Sequence, residues 1–498
     1  MKQFLSALFA GRIHRRMNRW KQNPIAAQKN TFAHLIHKGK NTVFGKDHLF
    51  SEIHSYADFK ARVPARDYEE LKPWLDRVAN GEADITWPGI AEILCKTSGT
   101  TSGAKFIPLT KDSIPTHING ARDALLNYIK VSGKKGFVNR KMIFLQGSPK
   151  LESGKGVPYG RLSGIVANFV PKYLQTNRVP SYTVNCIEDW ESKLDAVIEE
   201  TGPLDMGLIS GIPSWVQMYF ERLLEKTGKN TVLDVFPNFE LFVYGGVNFE
   251  PYRSRFNRLI GKEIPSLELY PASEGFIAFQ DSWSEPGLLL NLAAGVFYEF
   301  IPCSELDDEN PSRLSLEEVK LGVNYAIILN TNAGLWGYSI GDSIKFVSLF
   351  PFRIVVTGRI KHYTSAFGEH VIAEEVEEAM RFAMDETGIE VVEFTVAPQL
   401  APETGLPYHE WLVEFSKNDL KLDSFSRILD QKMQEQNPYY LDLIKGNILQ
   451  PALVTQLPQK AFVTYMKSEG KLGGQNKIPR LSNNRSLAEK LTALSRKT

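Results

Sequence analysis

The sequence predicts an α/β protein, with a large N-terminal domain at residues 1–357 and a smaller α+β C-terminal domain at residues 358–498. Three observations predict it. Strand-like and helix-like segments alternate through the first two-thirds, as in sheets covered by helices. From Gly295 this gives way to strands with short connections, a β-rich subdomain. After Gly358 the order becomes helix, strand, strand, helix. At 498 residues the chain is too long for one ordinary core.

The elements follow in order. Met1–Ala10, with Arg12, Arg15, Arg16 and Arg19 behind it, briefly imitates a secretory signal. A signal carries its charge ahead of a longer apolar run, so an amphipathic helix packed on the body is expected instead. Ile93-Leu94-Cys95 is an apolar strand entering a polar loop. Lys141–Gln146, Asp205–Ile209, Phe239–Tyr244 and Leu267–Tyr270 are further apolar strands. The second turns at Gly211-Ile212-Pro213 into a helix. There Trp215, Tyr219 and Leu223 recur at spacing four beside Val216, Phe220 and Leu224; Pro213 suits the first turn and Gly228 the end. Gly295–Ile301, Asn324–Thr331, Asp342–Val347 and Phe352–Thr357 are the strands of the β-rich part. The acidic stretch Glu305–Glu318, with Asn310-Pro311, reads as an exposed loop. In the C-terminal domain Glu374–Glu386 is a helix, Val391–Ala397 and His409–Phe415 are strands, and Leu420–Glu435 and Pro458–Ser468 are helices. There is no internal repeat and no low-complexity tract.

Composition narrows the function. Lys and Arg number 58 against 57 Asp and Glu, a net charge of +1, which calls for no nucleic acid or other polyanion. Hydrophobic residues at 43% and charged residues at 23% are those of a soluble globular protein. No stretch approaches a membrane span. Cys95, Cys186 and Cys303 make neither a disulfide framework nor a metal pattern, which fits a reducing cytoplasm. His34 and His37 lack companion ligands and read as ordinary surface or core histidines.

Five segments carry chemistry. Cys95–Lys105 (CKTSGTTSGAK) packs five hydroxyls, two glycines and a flanking lysine at each end into a few residues. Hydroxyls, open backbone N–H groups and ammonium groups suit a phosphate chain, although the same composition marks plain surface loops. Ala104 separates Gly103 from Lys105, so this is not a Walker P-loop. Tyr270–Gly275 (YPASEG) follows a strand, where α/β sheets bind ligands. Glu274 could hold Mg²⁺ there, or Ser273 could cap a helix with Glu274 in its first turn. Ala333–Asp342 (AGLWGYSIGD) lies between strands. It is either a hairpin turn or a carriage for an aspartate that accepts ribose hydroxyls. Thr357-Gly358-Arg359 stands at the domain junction. Gly473–Arg480 (GGQNKIPR) is either a frayed basic tail or a flexible arm delivering Lys477 to a phosphate.

In this order and spacing the segments resemble the adenylate-forming enzymes, and specifically the Gretchen Hagen family of auxin-responsive acyl-acid amido synthetases. Thr97–Pro108 (TSGTTSGAKFIP) is similar to the family's first nucleotide motif, and Tyr244–Tyr252 (YGGVNFEPY) to the segment ahead of the second. Tyr270–Gly275 is similar to the second motif, Val323–Val347 to the third, and Asn476–Arg480 (NKIPR) to the C-terminal Lys-x-Pro-Arg. The chain departs from plant members at Ser339, where arginine is usual, at Pro271 and Ala272, and at Ser365–His370, which lacks their lysine.

The resemblance implies ATP-dependent adenylation of a carboxylic acid, then acyl transfer to an amine, most simply an amino acid. It assigns the phosphates to Ser98, Gly99, Thr100, Thr101, Ser102 and Gly103, with Lys105 either adding charge or facing solvent. It assigns Mg²⁺ to Glu274 as metal ligand, the adenine surroundings to Tyr270 and Ala272, cofactor binding also to Ser273, and the ribose to Asp342. Lys477, Glu274 and Arg359 become the catalytic residues, with Arg359 at the hinge of a mobile small domain and Lys477 carried by it. The helix starting at Pro213 and the Tyr244–Phe249 turn are candidate walls of the acyl pocket. An acyl-CoA ligase and a non-catalytic nucleotide or acyl-acid sensor are the alternatives. ATP and Mg²⁺ are the implied cofactors, small acids and amines the partners, and a monomer the expected state.

Overall fold

Apolar runs decide where the chain forms its central sheet. The computed structural model describes residues 2–100, 103–170, 175–246, 249–306, 308–359, 363–364, 367, 369, 371–417, 422–469, 478–482 and 484–495. The strands, in chain order, begin with β1 Ile93–Thr100, β2 Gly103–Leu109, β3 Lys141–Phe144, β4 Tyr159–Gly160, β5 Arg178–Val179, β6 Met206–Ser210 and β7 Leu241–Gly245. They continue with β8 Ser266–Ala272, β9 Gly275–Phe279, β10 Leu288–Leu290, β11 Val296–Pro302, β12 Asn324–Thr331, β13 Tyr338–Leu349 and β14 Phe352–Arg359. Toward the C-terminus come β15 Tyr363–Thr364, β16 Val371–Ile372, β17 Val391–Gln399, β18 Tyr408–Phe415 and β19 Leu453–Leu457.

Eleven strands form one sheet, in the order β11-β12-β13-β14-β10-β9-β8-β7-β6-β3-β5. From β5 to β8 neighbours are parallel; from β8 to β11 they are antiparallel. The central parallel strands β6 and β7 bury both faces, as helix-covered strands must. Phe242 and Tyr244 of β7 face one core with Val216, Tyr219 and Phe220 of the helix Pro213–Thr227. Leu241 and Val243 face another, with Ala124 and Tyr128 of the helix Ile114–Ser132. The N-terminal helix Lys2–Gln22 joins that second core through Ala10, Ile13 and Met17, the amphipathic packing its sequence predicts. The helix Pro213–Thr227 ends as expected at Gly228, whose φ of 64° is left-handed.

A smaller sheet, β2-β1-β4, flanks the first, and β17-β18-β19 forms a third with the helices Ala373–Thr387 and Asp423–Gln436 packed nearby. The strands expected at 391–397 and 409–415 are found, each slightly longer. The last expected helix starts at Ala461 rather than Pro458, because β19 runs to Leu457. The acidic stretch 305–318 is only partly the exposed loop expected. Leu316 is buried, and Arg313 forms an ion pair with the buried Glu299 at 2.7 Å. No helix among the described residues is long and apolar enough to cross a membrane.

One buried polar group has a measurable consequence. His117, on the helix Ile114–Ser132, is 4% exposed, and neither ring nitrogen has a hydrogen-bond partner among the described residues. Burial pulls its pKa down to about 4. The unfolded chain therefore takes up a proton first as pH falls below about 6.5. Stability from this site is full above that value and is lost toward pH 4, about 2 kcal/mol by pH 5. Urea unfolding at pH 7.5 and 5 is expected to show that loss in the wild type and a smaller one in His117→Met. Equal losses would contradict it.

Candidate active site

The end of the parallel half of the sheet gathers four of the five segments singled out by sequence. Ala272 pairs with Gly275, so Ser273 and Glu274 are the two turn residues of the β8–β9 hairpin. The helix cap considered for Ser273 is thereby corrected. Gly275–Phe279 is a short, wholly apolar run that returns as a fully buried strand instead of opening a helix. The first segment is likewise not a loop throughout. Ser98, Gly99 and Thr100 close β1, Gly103 opens β2, and the two strands pair from Ile93↔Leu109 to Thr100↔Gly103. Thr101 and Ser102 lie outside the described residues, as does Lys477.

Contacts bind these segments to one another. Burial pushes the pKa of the Cys95 thiol up and the Glu274 charge adds to this, while the hydrogen bond between the thiol and Ser273 opposes it. This places β1 directly against the β8–β9 turn. The Tyr270 hydroxyl donates to the Asp342 carboxylate. The two residues belong to β8 and β13, which β9, β10 and β14 separate in the sheet, so the sheet curls to bring them together. Asp342 lies in a strand as expected, but within β13, which begins at Tyr338 rather than at Asp342, and it pairs in register with Arg359 at the end of β14. Cys95, Tyr270, Glu274 and Asp342 are all buried, at 0%, 9%, 7% and 5% exposure. Polar groups so buried at a sheet's carboxyl edge mark a built site rather than a wet surface.

Lys105 neither faces open solvent nor lies alone. Its ammonium sits 5.8 Å from the Tyr68 ring and 6.0 Å from the Tyr338 ring. Phe242, Tyr244, Phe249 and Phe256 pack together, with Tyr244 and Phe249 centroids 4.9 Å apart and all four buried. In the segment considered as an acyl-pocket wall, these aromatics are thus core.

No group of three or more His, Cys, Asp or Glu among the described residues could hold a metal ion by itself. A single buried carboxylate such as Glu274 instead fits Mg²⁺ that arrives with phosphates, since this ion keeps most of its ligands as water and phosphate oxygen.

Sequence reasoning missed how the C-terminal part meets this site. The Tyr439 hydroxyl donates to the Lys96 carbonyl at 3.2 Å. Arg161 ion-pairs with Asp442 and stacks over Tyr439 at 4.8 Å. Asn447 donates to Glu191 at 2.5 Å, and Trp190 and Trp215 pack against the apolar core of the C-terminal part. These are single side chains in unremarkable polar stretches, with no spacing that would have flagged them.

The chain matches three parts of one family: the GH3 family N-terminal domain over residues 13–197, the central domain over 289–359 and the C-terminal domain over 374–486. An indole-3-acetic acid-amido synthetase of Arabidopsis thaliana, GH3.4, is 21% identical over 543 aligned residues, covering 92% of this chain and 89% of that protein. A jasmonoyl–L-amino acid synthetase of Nicotiana attenuata, JAR4, is 35% identical over 119 residues, a match that spans 22% of this chain and 20% of that protein. Among solved structures, the AtGH3.15 acyl acid amido synthetase in complex with 2,4-DB superposes with a TM-score of 0.61 at 16% identity, covering 97% of this chain and 96% of that one. A 2-hydroxyisobutyryl-CoA ligase reaches 0.61 at 13% identity, covering 96% and 93%. The fold is shared with these two solved structures, and with all three family domains matched in order the chain belongs to the GH3 family.

Proposed function

We propose that this protein is an ATP-dependent acyl-acid amido synthetase, which adenylates a carboxylic acid and passes the acyl group to an amine, most simply an amino acid. The observation that carries this reading is the convergence of β1, the Ser273–Glu274 turn and the Tyr270–Asp342 pair at one end of the sheet. The substrate carboxylate oxygen attacks the α-phosphorus of ATP, and the bond to pyrophosphate breaks. The amine nitrogen then attacks the acyl carbonyl, AMP leaves with the C–O bond electrons, and the nitrogen loses a proton. Such chemistry is governed by positioning and charge stabilisation.

Ser98, Gly99, Thr100, Thr101, Ser102 and Gly103 grip the phosphates, and Asp342 holds the ribose. Tyr270, Ala272 and Ser273 border the adenine, the Tyr270–Asp342 hydrogen bond fixing the two recognition groups relative to each other. Glu274 holds Mg²⁺, which supplies charge neutralisation to the phosphates. Residues 358–498 act as the mobile small domain with Arg359 at its hinge, and Lys477 is brought to the site by it. A monomer in the cytoplasm, acting on small molecules and not on nucleic acid, completes the reading. Thiol transfer to coenzyme A is the second reading, favoured by the equal structural similarity to a CoA ligase.

The test is acid-dependent exchange of labelled pyrophosphate into ATP across aromatic, jasmonate-like and fatty acids, followed by addition of amino acids or coenzyme A. Exchange with some acid and an amino-acid-dependent amide are expected. Coenzyme A-dependent thioester would move the reading to a CoA ligase, and silence across the panel with ATP binding intact would move it to a sensor.

A further inference from the structure

Two cations beside the site have no carboxylate partner among the described residues. Lys193, on the helix Trp190–Thr201, is 5% exposed. Its ammonium donates to the carbonyls of Gln146 and Asn185, both at 2.9 Å. Arg178, the first residue of β5, stacks its guanidinium over the Phe144 ring at 4.5 Å and donates to the Gln146 side-chain oxygen at 3.2 Å. Burial lowers both pKa values, that of Lys193 to about 8, and no carboxylate of the described residues is among the causes for either. Two like charges gathered on one glutamine, Lys193 buried and Arg178 half-buried, are costly unless an anion joins them.

The location points to the reaction. Gln146 lies two residues beyond β3, at the carboxyl edge of the parallel strands. A side chain on the next residue, Gly147, would meet Arg161 at 3.3 Å. Arg161 directly follows β4, which pairs with β1 at Leu94 and Cys95. The cations thus continue from the nucleotide hairpin along the sheet edge, away from β8 and β13.

We propose that Gln146, Arg178 and Lys193 form a subsite for an oxyanion of the acceptor substrate. This rests on the amido synthetase reading. There the nucleotide phosphates are assigned to the β1–β2 hairpin, and the carboxylate of the activated acid is consumed in adenylation. The anionic group left over is carried by the acceptor: the α-carboxylate of an amino acid, or the phosphates of coenzyme A in the second reading.

The full-length protein is assayed with Arg178→Gln and Lys193→Met, and with Arg178→Lys and Lys193→Arg as charge-preserving controls. Acceptors are an amino acid, its α-carboxamide, and coenzyme A. Loss of a charge-assisted hydrogen bond predicts an acceptor KM raised about 10- to 100-fold with a much smaller change in kcat. The carboxamide KM is expected to stay unchanged and the charge-preserving variants to recover most of the loss. A raised KM confined to coenzyme A would identify phosphate as the oxyanion. Unchanged KM for every acceptor in folded Arg178→Gln and Lys193→Met would overturn the subsite. If the wild type adenylates no acid, the amido synthetase reading fails, and inorganic phosphate then reads the subsite directly. A thermal midpoint that rises with phosphate in the wild type but not in Arg178→Gln supports it, and equal rises overturn it.

Discussion

Glu274→Gln is expected to slow acid-dependent exchange of pyrophosphate into ATP by about 10²- to 10³-fold, the scale on which one preorganised electrostatic group contributes to a charged transition state. The substitution keeps the shape and hydrogen-bonding size of the side chain and removes only its charge, so it tests the electrostatic role alone. Glu274 sits in a two-residue turn between β8 and β9, and β9 is buried along its whole length. The turn therefore holds the carboxylate on a rigid support, as a metal-positioning group requires. The fold should tolerate the change, since the Cys95–Ser273 hydrogen bond that anchors the turn does not involve Glu274. The Mg²⁺ concentration needed for half-maximal exchange is expected to rise. An exchange rate and Mg²⁺ requirement equal to those of the wild type would remove Glu274 from the catalytic machinery.

That the turn itself was not legible in the sequence has a physical cause. Ser followed by Glu suits a helix N-terminus and a tight turn equally, and the decision falls to the residues after it. Phe276, Ile277 and Phe279 form a run too short for a buried helix and long enough for a strand. The β1–β2 hairpin was hidden in the same way. Its Ser, Thr and Gly composition is that of a loop, but pairing of Thr97 with Lys105 and of Thr100 with Gly103 extends β1 through it. Strands such as β6 and β7 were legible because burial of both faces leaves a continuous apolar run. The two-residue strands β4 and β5 carry no such signal; their partners impose them. The meeting of Tyr270 with Asp342, 72 residues apart, depends on the curl of the sheet, which no local pattern encodes. The placement of Arg178 and Lys193 was invisible for a related reason. A lone basic residue reads as surface until its surroundings show that it is buried, as Lys193 is, or half-buried, as Arg178 is.

Asp281→Ala is expected to destabilise the protein by about 3–5 kcal/mol, the cost of breaking a buried ion pair from one side. The Asp281 carboxylate accepts from Arg353 Nε at 2.9 Å and Nη2 at 3.2 Å, and from Lys21 at 2.7 Å. Asp281 and Arg353 are 5% and 7% exposed, so water cannot take over when the carboxylate is removed. The cluster joins the N-terminal helix to β14, and the Asp281 carbonyl also accepts from Asn127 at 3.0 Å, adding the helix Ile114–Ser132. An exposed pair such as Arg62–Glu52 carries no comparable penalty, being worth about 0–1 kcal/mol. The measurement is urea unfolding at neutral pH, comparing midpoints at equal slope. Most of the loss is expected to come from the stranded Arg353 charge rather than from the attraction destroyed. Asp281→Leu combined with Arg353→Met should therefore cost less than Asp281→Ala alone, because Lys21 is more exposed and its flexible stem can carry its ammonium to water. A double variant less stable than the single one would mean that the attraction itself, not the avoidance of an orphaned charge, holds these three elements together.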